Sequence, residues 1–214
     1  MSVQHMILCL LAGYLFGNIP NGYLYAKSQG VDIYKQGSGN PGSTNIGRTL
    51  GKRAGATVLL LDIAKCIVPI LMMHMILKPL GEDEATLITV FTGFGAILGH
   101  DFPFLPMCHG GKGIACTGAL IIAFDWRMAI LLLLLFIVIA KTTGYVSVGS
   151  ICGISMLFVL TAVFGYLGLL PMSMQIYPIV LTVFFLIAVL GVWQHRSNLK
   201  RLQNGTESKF HFKK

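Results

Sequence analysis

Residues 54–77 read AGATVLLLDIAKCIVPILMMHMIL. A helix needs about 20 apolar residues to cross the hydrocarbon core of a bilayer, and this run clears that length. Only Asp62 and Lys65 interrupt it with charge, and their spacing of three puts them on one helical face. Charges at this depth must pair or face a polar cavity. Two readings follow: a self-neutralising pair that positions the helix, which is the preferred one, or a strut beneath a polar site. Either way the stretch is membrane helix, and the rest of the chain agrees with it. Of 214 residues, 55% are hydrophobic and 11% charged, and the mean hydropathy is +0.75. Soluble domains carry roughly 25% charged residues.

Further apolar segments lie at 3–26, 85–99, 113–124, 128–140, 146–170 and 178–193. Asn18, Pro20 and Asn21 interrupt the C-terminal end of the first. The three middle segments are short for a span, which predicts tilted helices, extensions into the flanks, or half-membrane helices. No Lys or Arg precedes Lys27 and no cleavage site follows a short core, so a retained first helix is expected. Lys and Arg accumulate in cytoplasmic loops. Seven crossings with the N-terminus outside put nearly all cations on the inner side and leave only Lys78 and Arg127 outside. Five crossings are the alternative, and they also leave the C-terminus cytoplasmic. The expected fold is thus an all-α polytopic membrane protein, a single domain over 1–214. Its polar loops 27–53, 100–113 and 141–150 and its tail 195–214 emerge on one cytoplasmic face, where an active site could form.

The net charge of +8 comes from cations scattered over loops and tail, without an aromatic-studded basic face, so no nucleic-acid partner is expected. Topology and an anionic ligand explain it better. Five cysteines, at 9, 66, 108, 116 and 152, form no CxxC pair and read as small core residues. No HExxH-type spacing joins the histidines, so no metal is assigned.

The first polar loop, Gly37-Ser38-Gly39-Asn40-Pro41-Gly42-Ser43-Thr44-Asn45-Ile46-Gly47-Arg48, is dense in glycine and in small hydrogen-bonding side chains. Its glycines admit close backbone approach, Ser38, Asn40, Ser43, Thr44 and Asn45 add donors, and Arg48, Lys52 and Arg53 suit phosphate oxygens. Such a loop can cradle a phosphate, or it can simply be a solvated connection whose cations mark the cytoplasmic side. In the second loop Gly110, Gly111 and Gly113 bracket Lys112 at the expected start of a helix, where free N–H groups favour an anion. It is no Walker A motif, since Gly113 stands where Ser or Thr is required. A topology-setting lysine at a loop end is the plainer alternative. In the tail, His195, Asn198 and Leu199 fall on one side of a helical turn continuing the last span, which reads also as a lipid-binding basic tail. A GxSxG elbow is absent, and no histidine is followed by the aspartate of an HxxxxD acyltransferase signature.

Taken in order, GNIPNGYLYAK, GSGNPGSTNIGRTLGKRAG, LDIAK, GHDFPFLPMCHGGKGIA, YVSVGS and HRSNLKRLQNGTESK resemble the bacterial acyl-phosphate:glycerol-3-phosphate acyltransferases over nearly the whole chain. The resemblance implies a seven-helix fold with its site at the cytoplasmic surface of a bacterial cell membrane. It implies transfer of a fatty acyl group from acyl phosphate to the sn-1 hydroxyl of glycerol 3-phosphate, giving lysophosphatidate and phosphate, the first step of phospholipid synthesis. No cofactor is implied, the protein is expected as a monomer, and functional coupling to an acyl-phosphate-producing enzyme is expected. By motif position, Ser38, Arg48, Lys112, His195 and Asn198 would be catalytic. Gly37, Asn40, Thr44, Asn45, Gly110, Gly111, Gly113, Ser147 and Ser150 would bind substrate. Cys66 departs from the glycine usual after LDIAK, Gly144 replaces a common arginine, and His109 replaces a less distinctive residue.

An acyl phosphate is already activated, so positioning and charge neutralisation by Arg and Lys would suffice, with the phosphate taking the proton. His195 is the fallback general base. A transporter or flippase for an organic phosphate would also use basic residues and glycine-broken helices. Against it stand the lack of an inverted repeat and the one-sided loops. A lipid-binding scaffold without catalysis is the third reading.

Overall fold

The computed structural model describes residues 1–105 and 109–209, which leaves Cys108 and the tail cations Lys213 and Lys214 outside the described residues. Among those described, every regular element is helical. The chain packs as two compact units, Met1–Ala123 and Phe124–Lys214.

The first unit opens with α1, Val3–Gly17, capped by the Ser2 hydroxyl, which accepts from the His5 N–H at 3.3 Å. The helix stops at Asn18 because Pro20, two residues on, has no N–H to continue the ladder. The chain resumes as α2, Asn21–Ser28, and the two together form a candidate span over Val3–Ser28. Within the region read from sequence as a polar loop there is a further helix, α3, Ser43–Leu50, which corrects that reading. Gly42 and Gly51 cap it. Ile46 on its inner face joins a buried cluster with Ala26, Ile33, Ala54 and Val58. Next come α4, Lys52–Leu77, α5, Glu82–Asp101, and α6, Ile114–Phe124. Three acids, Glu82, Asp83 and Glu84, occupy the first turn of α5, where the helix dipole favours negative charge.

Helices α1 and α5 pack at the closest range in this unit. A Cβ on Gly13 would overlap the Thr92 carbonyl, one on Gly17 the Ala96 backbone, and one on Gly95 or Gly99 the carbonyls of Leu10 or Tyr14. Lipid supplies no hydrophobic drive between helices, so close backbone contact through small residues is what holds such a crossing. It also fixes where the far end of α5 delivers the 100–113 loop.

In the second unit α7 spans Trp126–Thr143, α8 Val146–Tyr166, α9 Tyr177–Gln194 and α10 Arg196–Gln203. Asp125 starts α7 by accepting from the N–H groups of Arg127 and Met128 at 2.9 and 3.0 Å, and it pairs with the Arg127 guanidinium at 2.6 Å. Arg127 also donates to the Leu169 carbonyl, so the α8–α9 connection is tied to the start of α7. Helix α9 lies against α8 through Gly191, whose open side is filled by Ile154, and through the Tyr177 hydroxyl, which donates to the Ala162 carbonyl at 2.9 Å. The tail helix does not simply continue α9, because His195 closes one helix and opens the next.

Among the described residues, five helical stretches are long and apolar enough to cross a membrane: Val3–Ser28, Lys52–Leu77, Trp126–Thr143, Val146–Tyr166 and Tyr177–Gln194. The chain is a multi-pass, all-helical membrane protein. The segment expected at 85–99 extends to 20 residues with acids at its head, and the one at 113–124 remains an 11-residue apolar helix, α6. At 1.5 Å per residue α6 is roughly 16 Å long, about half a bilayer core.

If the glycine crossing holds the first unit together, Gly13→Leu will destabilise the protein by about 3 kcal/mol, as overpacking does. Gly118→Ala, on α6 with nothing within 4 Å of its missing Cβ, will leave stability unchanged or slightly raised. Thermal unfolding of the two variants in detergent checks both.

Candidate active site

The Gly-rich loop of the first unit is held from within. Asn45, buried at the first turn of α3, donates from Nδ2 to the Gln36 carbonyl at 2.9 Å and accepts at Oδ1 from the Ser38 N–H at 3.0 Å. Gly37 takes a positive φ of 55° with Asn45 Oδ1 where a Cβ would sit, so the turn and the asparagine require each other. Asn40 accepts at Oδ1 from the Gly42 N–H at 2.9 Å, a local turn that delivers the chain into α3. Of the residues expected to bind substrate here, Asn40 and Asn45 are therefore engaged in shaping the loop. Ser38 is exposed, Thr44 lies half-buried in the first turn of α3, and Arg48 lies half-buried in its last.

The GGKG turn is wrapped onto the end of α5. The Gly111 N–H donates to the His100 carbonyl at 3.0 Å, and the His100 ring fills the place of a Gly111 Cβ. A Cβ on Gly110 would overlap the carbonyls of His100 and Asp101. Gly113, at a φ of 68°, turns the chain directly into α6, as the sequence predicts for this glycine, and its open side faces the buried Asp101 carboxylate. Lys112 sits half-buried between these glycines.

The two loops meet through one tyrosine. Tyr34 accepts from the His109 N–H at 2.9 Å and donates to the His109 carbonyl at 3.1 Å, while its ring meets the His109 imidazole edge-on. Tyr23 stacks on Tyr34, and Lys27 Nζ lies 5.5 Å from the Tyr23 ring centre. On the far side of the loop Gly22 gives way to the Pro41 carbonyl. The 37–48 and 109–113 segments thus belong to a single framework of glycines and amide hydrogen bonds. Backbone N–H groups, a guanidinium and an ammonium are donors whose chemistry suits phosphate oxygens.

The remaining expected residues, Ser147, Ser150, His195 and Asn198, fall in the second unit. An acid absent from the sequence-based expectation organises three of its polar groups. Glu207, buried, accepts at Oε1 from the Ser147 hydroxyl at 2.8 Å and from Asn198 Nδ2 at 2.7 Å, and at Oε2 from Arg201 Nε at 2.7 Å. Burial alone would raise its pKa, but the hydrogen bonds from Arg201, Asn198 and Ser147 outweigh that and hold it below the ordinary glutamate value of 4.5. One signal in the sequence could have found it: Glu207 is the sole acidic residue after Asp125, in a tail that is otherwise basic. Ser150 donates instead to the Val146 carbonyl of its own helix at 3.0 Å. His195, buried, places Nδ1 2.7 Å from the Gly191 carbonyl. A carbonyl only accepts, so Nδ1 carries the proton and Nε2 is the basic nitrogen of the neutral ring. Among the described residues no group of three or more His, Cys, Asp and Glu could hold a metal ion.

Residues 7–205 match the family model described as glycerol-3-phosphate acyltransferase. The chain is 36% identical to the glycerol-3-phosphate acyltransferase of Clostridioides difficile, with all of both chains covered. It is 35% identical to that of Geotalea daltonii, over 95% of this chain and 97% of the relative. Among solved structures it is similar to the crystal structure of PlsY, an integral membrane glycerol 3-phosphate acyltransferase, in its glycerol 3-phosphate form. There the TM-score is 0.82 at 33% identity, with 96% of each chain covered. The lysophosphatidic acid form of the same enzyme gives a TM-score of 0.79 at 33% identity, over 96% of this chain and 95% of that one.

Glu207→Gln will loosen the tail, because an amide has one accepting oxygen where the carboxylate has two, and it must turn its NH2 either toward Arg201 or toward Ser147 and Asn198. We expect faster proteolysis after α10 and a fall in any activity of about 30-fold, roughly 2 kcal/mol. Since its folded pKa is lowered, the wild-type carboxylate contributes its stability fully above about pH 4.5 and loses it as pH falls through the lowered value. A proteolysis series from pH 7 to acid reads this directly, and Glu207→Gln should show no such dependence.

Proposed function

Because the chain belongs to the glycerol-3-phosphate acyltransferase family, we propose that it acylates the sn-1 hydroxyl of glycerol 3-phosphate with acyl phosphate as donor. The products are lysophosphatidate and inorganic phosphate. The observation that carries this reading is the Tyr34–His109 hydrogen-bond pair, which joins a glycine-rich loop bearing Ser38 and Arg48 to the glycine turn bearing Lys112. Both substrates are phosphate esters or anhydrides, and two cation-bearing glycine loops in one framework suit a pair of such anions.

The hydroxyl oxygen attacks the acyl carbon, the bond from that carbon to the phosphate oxygen breaks, and an ester forms. Arg48 and Lys112 bind the phosphates and offset the charge that develops as phosphate leaves, and Ser38 and Asn198 contribute hydrogen bonds. Phosphate carries its own leaving-group oxygens to the reaction, so it can take the hydroxyl proton itself, with His195 Nε2 as the alternative acceptor. Gly37, Gly110, Gly111 and Gly113 let backbone amides approach, and Thr44 adds a hydroxyl at the start of α3. Around this chemistry we place seven crossings of a bacterial cell membrane, N-terminus outside, with α5 and α6 joining the five long spans and the site on the cytoplasmic side. The protein acts as a monomer that receives acyl phosphate from the enzyme producing it, and it uses no metal or cofactor.

Purified protein supplied with palmitoyl phosphate and glycerol 3-phosphate in the presence of EDTA should release lysophosphatidate and phosphate in equal amounts. Lys112→Ala should lower kcat/KM by about 100-fold, roughly 2.7 kcal/mol, and Ser38→Ala by about 10-fold. Palmitoyl-CoA in place of palmitoyl phosphate should give no product. Lack of product with palmitoyl phosphate from a folded preparation would remove the acyl-phosphate assignment and bring organic-phosphate transport forward.

A further inference from the structure

Asp62 does more than neutralise Lys65. The two side chains are 3% and 4% exposed and 3.1 Å apart on α4. Lys65 Nζ also donates to the Ile19 carbonyl at 2.8 Å, in the break between α1 and α2, where that carbonyl takes the Asn21 N–H at 3.0 Å as well. Asp62 Oδ1 accepts from Asn21 Nδ2 at 3.1 Å, at the start of α2. The same oxygen faces His100 Nδ1 at 3.7 Å, at the end of α5. One buried carboxylate therefore touches the start of α2, which packs against the glycine-rich loop, and the end of α5, onto which the GGKG turn is wrapped.

On the Asn21 side the adjoining residue, Gly22, packs directly on Pro41 of the glycine-rich loop. On the His100 side the imidazole fills the open face of Gly111, and the His100 carbonyl takes the Gly111 N–H at 3.0 Å. A small recess lined by Asn18, Asn21, Asp62, Lys65, His100 and Gly111 marks the same junction. Moving the Asp62 carboxylate shifts Asn21 and His100, and with them Pro41 and Gly111. We infer that Asp62 is a positioning residue for the acyl-transfer site, setting through Asn21 and His100 the spacing between the glycine-rich loop and the GGKG turn.

This rests on the acyltransferase reading above, and it adds a consequence which that reading lacks. Both substrates carry phosphate, so displaced loops weaken both in the ground state. A carboxylate that only steadied the fold would, when altered, reduce the amount of active enzyme and leave the KM of the surviving molecules unchanged.

The test measures KM for glycerol 3-phosphate and for palmitoyl phosphate, together with kcat and the thermal midpoint, for three variants beside the wild type. Asp62→Asn keeps the shape and removes the charge. Asp62→Asn/Lys65→Met removes both charges at once, so that no unpaired cation is left buried. Asn21→Ala removes only the arm toward the glycine-rich loop. Asp62→Asn and the double variant should raise both KM values about tenfold with kcat within about threefold, and Asn21→Ala should raise them about threefold. Variants that fold with wild-type KM values, or that lose only kcat and thermal midpoint, would overturn the inference. Failure of both Asp62 variants to fold, combined with wild-type KM values in Asn21→Ala, would overturn it as well. An inactive wild type would instead sink the acyltransferase reading and this inference with it, which keeps the two failures apart.

Discussion

A carboxylate and an ammonium inside a membrane helix must be answered by other polar groups, and that demand organises the first unit. Asp62 and Lys65 answer each other at 3.1 Å, but a carboxylate has more lone pairs, and an ammonium more hydrogens, than one partner can use. The surplus reaches out of α4 to Asn21 and the Ile19 carbonyl, and the His100 ring lies 3.7 Å from the same carboxylate oxygen. Pro20 and Asn18 break the first helix where the break can be repaired by these groups, and α5 ends where its last histidine can meet them. Removing one charge alone would leave the other buried without compensation, which costs several kcal/mol.

The second constraint is steric. Lipid-embedded helices gain little by burying side chains against one another, so the α1–α5 crossing is closed by glycines that let carbonyls and Cα atoms touch. This fixes the height of α5 relative to α1. Asn18, at the end of α1, then accepts from the Phe104 N–H at 2.7 Å, and Tyr14 donates to the Phe102 carbonyl at 2.9 Å. The chain leaving α5 is thereby guided before it reaches the GGKG turn. A loop that must present backbone amides to an anion has few side chains with which to hold itself, and a rigid scaffold supplies what the glycines give up.

Much of this was written in local patterns. The three-residue spacing of Asp62 and Lys65 predicts their pairing, the long apolar runs predict the membrane helices, and Gly113 before Ile114 predicts a helix start. Spacing alone favours simple neutralisation over a strut, because the sequence does not show that Asn21 and His100, distant along the chain, lie at the same carboxylate. Helix α3 is hidden for a local reason: its eight residues are fewer than the stretch over which helical periodicity is read, and Gly47 inside and glycines at both ends read as turns. Asn40 and Asn45 stand where ligand donors are expected, yet Asn40 turns back on the Gly42 N–H two residues on, and Asn45 reaches the backbone of Gln36 and Ser38 across the loop. Ser150 similarly bonds one turn back along α8. Glu207 needed a contact across sixty positions to Ser147, for which no motif spacing exists.

The carboxylate of Glu207 has no hydrogen to give, and that settles the handedness of the amide beside it. Asn198 must turn its nitrogen toward Glu207, so its oxygen points the other way, and whatever meets that oxygen must bring a hydrogen. The tail's lone acid therefore fixes, by its own lack of protons, which way the amide one helix away is turned.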